Sequence, residues 1–384
     1  MLFRSRSGSR YFDKNQTYFV TANQIFNNRT FASLGVNFSQ TDRKRGDGVH
    51  FDRLGEYYRP ANPTIDPNLP MFWKPGHVWD DFLQRRSSYW GLQGSMTSQF
   101  DRYNQLKVGA DYQHHTLRFF DAYFPTQIGG NSPDTVDWDG YGYKLVLDRD
   151  ADGNVIGSHL EENGDNDRDG PKHPKAFGLF AQDRFEREGV IVNGGLRYDY
   201  FNVDTPSLRS QTFPLGSPEE QPDSLRGRLD SQDLESNKVY SRFSPRLGIA
   251  FPLDERTVLR FNYGQFYQQP NLQDLYVSYR FLEYKINRGG YFVGFGNPDL
   301  KPERTTAYEV GAQRQFGSTV RFDLTAYYKD VKDLVEITTI SSRPKAFSSF
   351  RNRDFATIKG MDLGVKMRPT SHFSGELKIG RAHV

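Results

Sequence analysis

Six aspartates in one stretch are the residues best spaced to do chemistry. The segment Leu145–Lys172 holds Asp148, Asp150 and Asp152 before Gly153, then Asp165, Asp167 and Asp169 before Gly170. Alternating carboxylates closed by a glycine suit calcium, which takes several oxygen ligands around a sharp turn. Neither run supplies the bidentate Glu expected at the twelfth position; His159 and Ala176 stand there. Two readings follow: a structural calcium site, the one cofactor the chain would hold, or a solvated Asp/Gly loop closing a hairpin. A second group is aromatic: Trp73 and Trp79 in one connection, and Tyr279, Tyr284 and Tyr291 in another. Rigid rings of this kind stack on flat ligands or sugars, but they also pack loops together and line membrane interfaces. His114 and His115 are adjacent, so a strand points them to opposite faces and they do not share a metal. Motifs for zinc hydrolysis, serine hydrolysis and phosphate binding are absent, as is any cysteine nucleophile, and no enzyme is expected.

The elements that must position these groups read as strands. From Gly294 to Val331 a turn-rich segment, Asn297-Pro298-Asp299-Leu300-Lys301-Pro302-Glu303, precedes strict alternation. Its two prolines lack backbone donors and cannot sit inside a ladder. Thr306, Tyr308, Val310 and Ala312 then share one face, and after Gly317-Ser318 so do Val320, Phe322, Leu324, Ala326 and Tyr328. Period two over this length predicts a hairpin with one apolar and one polar face. The polar faces are charged: Arg197, Asp199, Arg260, Glu309, Arg321 and Asp323 recur on them. Further strand pairs are expected at 17–26 and 31–39, 88–100 and 106–116, 176–186 and 190–201, 242–251 and 257–266, and 357–367 and 373–378. Turns within pairs are short. Connections between pairs are long, with 40–86, 117–175, 202–241, 267–304 and 336–356 all read as loops. Compact soluble domains rarely hold several such connections, whereas outer-membrane barrels combine short periplasmic turns with long extracellular loops.

The segment NPDLKPERTTAYEVG, with Asn297, Pro298, Leu300, Lys301, Pro302, Glu303, Tyr308, Glu309 and Gly311, resembles the signature of TonB-dependent outer-membrane receptors. Ser244-Pro245-Arg246-Leu247-Gly248, Gln182-Asp183 and Gly195-Leu196-Arg197-Tyr198-Asp199 agree with it in order and spacing, in the manner of the Oar-like branch. The resemblance implies an all-β, antiparallel transmembrane barrel in the Gram-negative outer membrane. It also implies energised uptake of a scarce ligand, whether siderophore, cobalamin, oligosaccharide or peptide. In that family the polar face lines the lumen and meets a plug domain, and the TonB complex acts through the plug. Both partners would lie outside this chain. About twelve strands are expected here, near half of the 22 of a large transporter barrel.

Bulk properties agree. No apolar run approaches the ~20 residues of a membrane helix, and a mean hydropathy of -0.74 is compatible with a barrel because alternation hides the lipid-facing half of each strand. A net charge of +3 leaves no footprint for nucleic acid. Residues 1–5 and 379–384 can be back-translated into sequencing-adapter strings. They are expected to be non-native tails on a fragment, with 6–378 as partial barrel. A non-transporting structural or adhesive barrel is the alternative from a different class, and the presence of an upstream plug would separate the two.

Overall fold

The computed structural model describes residues 8–58, 65–66, 68–74, 76–130, 137–217, 227–289, 294–369 and 373–383. The expected tail 1–5 and Tyr291 lie outside the described residues.

Twelve long antiparallel strands make the wall: β1 Ser9–Asn27, β2 Thr30–Asp47, β3 Phe82–Gln99, β4 Asn104–Ala122, β5 Lys175–Arg187, β6 Val190–Asn202, β7 Val239–Asp254, β8 Thr257–Gln268, β9 Glu303–Phe316, β10 Val320–Ile340, β11 Phe347–Met367 and β12 Gly375–His383. Each pairs with its neighbours in sequence, so the sheet is an uninterrupted meander running from β1 to β12. A short strand, Trp138–Tyr141, adds to the top of β4. At one end the strands are joined by tight turns, as at Glu188-Gly189, where both residues take positive φ. At the other end the described residues of segments 48–81, 123–174, 203–238 and 269–302 form a cap.

Register carries the apolar residues into continuous rows. Phe251, Leu259, Ala312, Leu324, Leu363 and Ile379 lie side by side across β7 to β12. Leu247, Tyr263, Tyr308 and Tyr328 form another row, with Tyr263 and Tyr308 ring centroids 5.2 Å apart. These side chains face outward: Tyr308 is 50% and Leu324 44% exposed. An apolar face of this extent is stable only against lipid. No helix among the described residues is long and apolar enough to span a membrane, which is immaterial to a wall that crosses with strands.

One expectation is corrected. Residues 336–356 are mostly strand and not loop: β10 runs on to Ile340 and β11 begins at Phe347, leaving 341–346 as the turn. At ~3.3 Å per residue, the 21 residues of β10 reach roughly 70 Å. The apolar band of a barrel is only about 25 Å tall, so this hairpin stands well clear of it, and its polar Thr and Ser content reads as loop despite the ladder. At the other end of the chain, residues 379–383 pair with β11 from Leu363 to Lys359.

Candidate functional site

Buried side chains collect in the cap. The largest fully buried ones include Tyr57, Phe82, Phe120, Phe201, Phe281 and Phe347, all in the loops or at the strand tops beneath them. Three clusters result. One joins loop 48–81 to 123–174 through Tyr57, Phe82, Phe120 and Trp138. A second packs Leu275, Tyr276 and Leu300 on Phe201 and Val203. The third sets Phe281, Leu282 and Ile286 against Leu215, Leu229 and Phe347.

At the centre stands a ten-residue helix, Tyr279–Arg288. A helix leaves its first N–H groups without internal partners, and here each finds a side-chain acceptor. Ser278 N donates to Asp139 Oδ1 at 2.8 Å. Tyr279 N and Arg280 N donate to the two carboxylate oxygens of Asp169 at 2.7 and 3.2 Å. Phe281 N donates to Ser278 Oγ at 3.1 Å. The far end closes at Gly289, whose φ of 77° suits glycine and whose N–H reaches Lys285 O. Arg280 lies over the Trp138 ring at 3.8 Å and donates to Trp138 O, and Lys285 pairs with Asp137 at 2.7 Å with little solvent contact. Burial sets the electrostatics of this knot. It pushes the Asp139 carboxyl up to about 6 despite the bonds from Ser278. Burial also raises Asp169 and lowers Lys172, whose ammonium sits 5.9 and 5.3 Å from the Tyr141 and Tyr279 rings.

The six aspartates do not converge. Asp148 pairs with His159, and Asp150 spends its carboxylate on the turn, accepting from Asp152 N and Asn154 N. Asp165 meets His173, Asp167 accepts from Gly164 N, and Asp169 caps the helix. The structure assigns Asp152 no such partner and leaves it exposed. Segments 143–149 and 155–162 are a hairpin. Among the described residues no group of three acidic or histidine side chains is placed to hold a metal.

The aromatic set divides. Tyr279 donates to Pro206 O at 3.0 Å, and Tyr284 packs under Arg280 and Arg288. Trp79 anchors its backbone on Asp47 Oδ2 at 2.9 Å. Trp73 ends a short strand, Leu69–Trp73. Tyr279 and Tyr284 therefore hold the cap together from within. His114 stacks on His173, and His115 lies tilted against Tyr89, on opposite faces as expected.

Below the cap, the charges of the polar face neutralise one another laterally. Arg197 bridges Asp111 at 2.9 Å and Asp199 at 2.7 Å. Asp323 receives Arg260 at 3.1 Å and Arg321 at 2.8 Å. Gly178 makes the first network possible, since a Cβ there would stand 2.0 Å from Arg197 Nη2. Glu309 lies opposite Asn262 and Tyr327. With Gln182, Arg197, Arg246 and Asn262 it lines an open groove of about 670 Å³.

The signature segment works as a latch. Asn297 Nδ2 donates to Phe350 O at 2.9 Å, and its Oδ1 accepts from Asp299 N. Lys301 N donates to Asn352 Oδ1. Leu300 is fully buried, Pro302 buried beside it, and Pro298 partly so. Gly296 lies so close to Tyr276 that a Cβ would meet its backbone carbonyl oxygen at 2.2 Å. Glu303 then opens β9, Tyr308 joins the outward aromatic row, and Gly311 lies flat under Arg260.

Residues 11–381 match the family described as TonB dependent receptor-like, beta-barrel. The chain belongs to that family. Its setting is accordingly the Gram-negative outer membrane, and the family is one of receptors and transporters. An iron-regulated outer membrane virulence protein of Vibrio cholerae is 30% identical over 103 residues, which is 27% of this chain and 15% of that protein. Among solved structures, the copper transporter OprC superposes with a TM-score of 0.57 at 15% identity, over 96% of this chain and 46% of its own. A ferric enterobactin receptor, PfeA, of Pseudomonas aeruginosa gives 0.53 at 16%, over 94% and 42%. The chain thus spans less than half of these structures and a small part of the curated relative. At such identities the superpositions establish the fold.

The helix 279–288 was the main feature sequence reasoning missed. Ser278 and Gly289 bracket it as cap residues, and Phe281, Leu282, Lys285 and Ile286 fall on one buried side. That signal was available.

Proposed function

We propose that this chain is wall and outer loops of a receptor that takes up a scarce ligand across the outer membrane, energised through TonB. The observation that carries the reading is the pairing of a lipid-stable outer face with an ion-paired inner face beneath a packed cap. An adhesive barrel needs the outer face and the loops, but not a groove such as that of Arg197, Arg246 and Glu309. The ligand we favour is a metal chelate of the siderophore class, because the relatives' names speak of iron, ferric enterobactin and copper. Cobalamin, oligosaccharide and peptide are the competing ligands. The plug domain and TonB are the proposed partners, acting from outside this chain. Uptake of radiolabelled ferric chelates by cells carrying the whole gene, with and without functional TonB, tests the reading. Accumulation only with TonB is expected; equal accumulation in both strains, or none of any chelate, overturns it.

A further inference from the structure

Three residues that each carry a buried oxygen without a hydrogen-bond partner line one small pocket inside the cap. Ser207 Oγ, Gln211 Oε1 and Asp299 Oδ1 are each shut off from solvent and unpartnered, and all three residues line the same space of about 30 Å³. Ser207 is 1% exposed. The walls come from separate segments: loop 203–238 supplies Ser207 and Gln211, the signature turn supplies Asn297 and Asp299, and β11 supplies Ser349. The backbones that carry these side chains are held independently of the cavity. Arg209 N donates to Asp233 O at 2.8 Å. Asp299 N donates to Asn297 Oδ1, and Tyr240 Oη donates to Asp299 O, both at 2.9 Å.

Chemistry narrows what belongs there. A carboxylate oxygen and an amide oxygen only accept, and a serine hydroxyl both accepts and donates. A buried polar atom left unmade costs about 1–3 kcal/mol, and more when charged. Among the described residues Asp299 forms no ion pair, and its Oδ1 is shut off from solvent. A water could bridge the oxygens but would bring no positive charge to the carboxylate. The space holds one ion and a water at most, since a water needs ~10–15 Å³ on this measure, so an organic ligand does not fit. Positive charge, oxygen preference and small size together describe a hard cation.

We propose that Ser207 Oγ, Gln211 Oε1 and Asp299 Oδ1 are ligands of a hard cation of calcium or sodium size that pins loop 203–238 to the signature turn. Calcium takes six to eight oxygens at ~2.3–2.6 Å, so neighbouring backbone carbonyls and water complete the shell. The site is separate from the Asp148–Asp169 segment, where Asp150 and Asp167 serve turns, Asp169 caps the helix, and Asp148 and Asp165 pair with histidines. It does not depend on the identity of the transported ligand.

The test uses the whole chain folded in detergent, stripped with chelator and titrated with calcium chloride in sodium or choline buffer. Calorimetry reads binding, and protease resistance of the loop reads pinning. Asp299→Asn and Ser207→Ala keep the backbone bonds named above, and circular dichroism checks that the strands persist. Expected is one calcium per chain, with affinity weakened at least tenfold in either variant and unchanged in Asp150→Asn. Protection by sodium but not choline, lost in Asp299→Asn, supports the site with sodium as occupant. Absence of any cation-dependent heat or protection overturns it. So does binding that survives Asp299→Asn and disappears in Asp150→Asn.

Discussion

Wall and cap are built for different solvents. In the wall, hydrogen bonds run from strand to strand and apolar side chains point away from the protein: Tyr308, Leu324 and Leu363 stand 42% exposed or more. In the cap the arrangement is that of a soluble protein, with Phe281 and Ile286 buried among loops and the helix N-terminus capped by side chains. Hydrophobicity alone therefore does not tell inside from outside here. Lipid is as apolar as a protein core, so a leucine on the wall already has its low-energy environment, whereas a phenylalanine in the cap must obtain it from other loops. The cap is thus the region whose stability depends on tertiary contacts, and the wall the region whose stability depends on the bilayer.

The comparison is broken most easily in the cap. Phe281→Ala leaves a cavity in the third cluster and should cost about 3–5 kcal/mol there. Hydrogen exchange of amides 279–288 should speed accordingly while amides of β9 and β10 hold. Loss of protection in both regions at once would mean that cap and wall are one cooperative unit.

A charge separates the two faces of the wall. Leu324→Arg, placed on the lipid side, should destabilise by about 2–4 kcal/mol, read from folding equilibria in lipid vesicles. Thr325→Arg, next in sequence but on the polar side, should stay close to the parent. Equal penalties would refute the assignment of faces.

Acidity should sharpen the cap alone. The folded value of Asp139, about 6, lies above its ordinary 3.8, so the folded cap holds this proton more tightly than the opened one. Stability from this group therefore grows as pH falls through 6 and is lost as pH rises. Between pH 7 and pH 5 local opening around Ser278 should drop roughly tenfold after correction for intrinsic exchange. Asp169, Lys172 and Arg280 face the same group, and Asp139→Asn isolates its share by removing the dependence. A profile unchanged in that variant would assign the effect to Asp169 or Lys172.

The smallest effect belongs to the polar face. Arg321 is 48% exposed in its pair with Asp323, and Arg321→Ala should cost under about 1 kcal/mol. Asp323 keeps Arg260 in that variant, so a larger loss would show the face to be drier than its exposure indicates.

Strand identity, hairpin pairing and the sign of each face were legible in the sequence, because period two is local and each residue reports its own solvent. The signature turn at Asn297-Pro298 was legible too, since proline removes donors wherever it stands. Only the tertiary structure decided what the loops do. Asp169 looks like a metal ligand by spacing and is a helix cap by contact, and the helix it caps lies 110 residues away. Tyr279 and Tyr284 read as exposed loop aromatics in the sequence, and the fold packs both against the third cluster of the cap. The physical reason is range: alternation is fixed by neighbours two residues apart, whereas a carboxylate's role depends on which donor the fold brings within 3 Å.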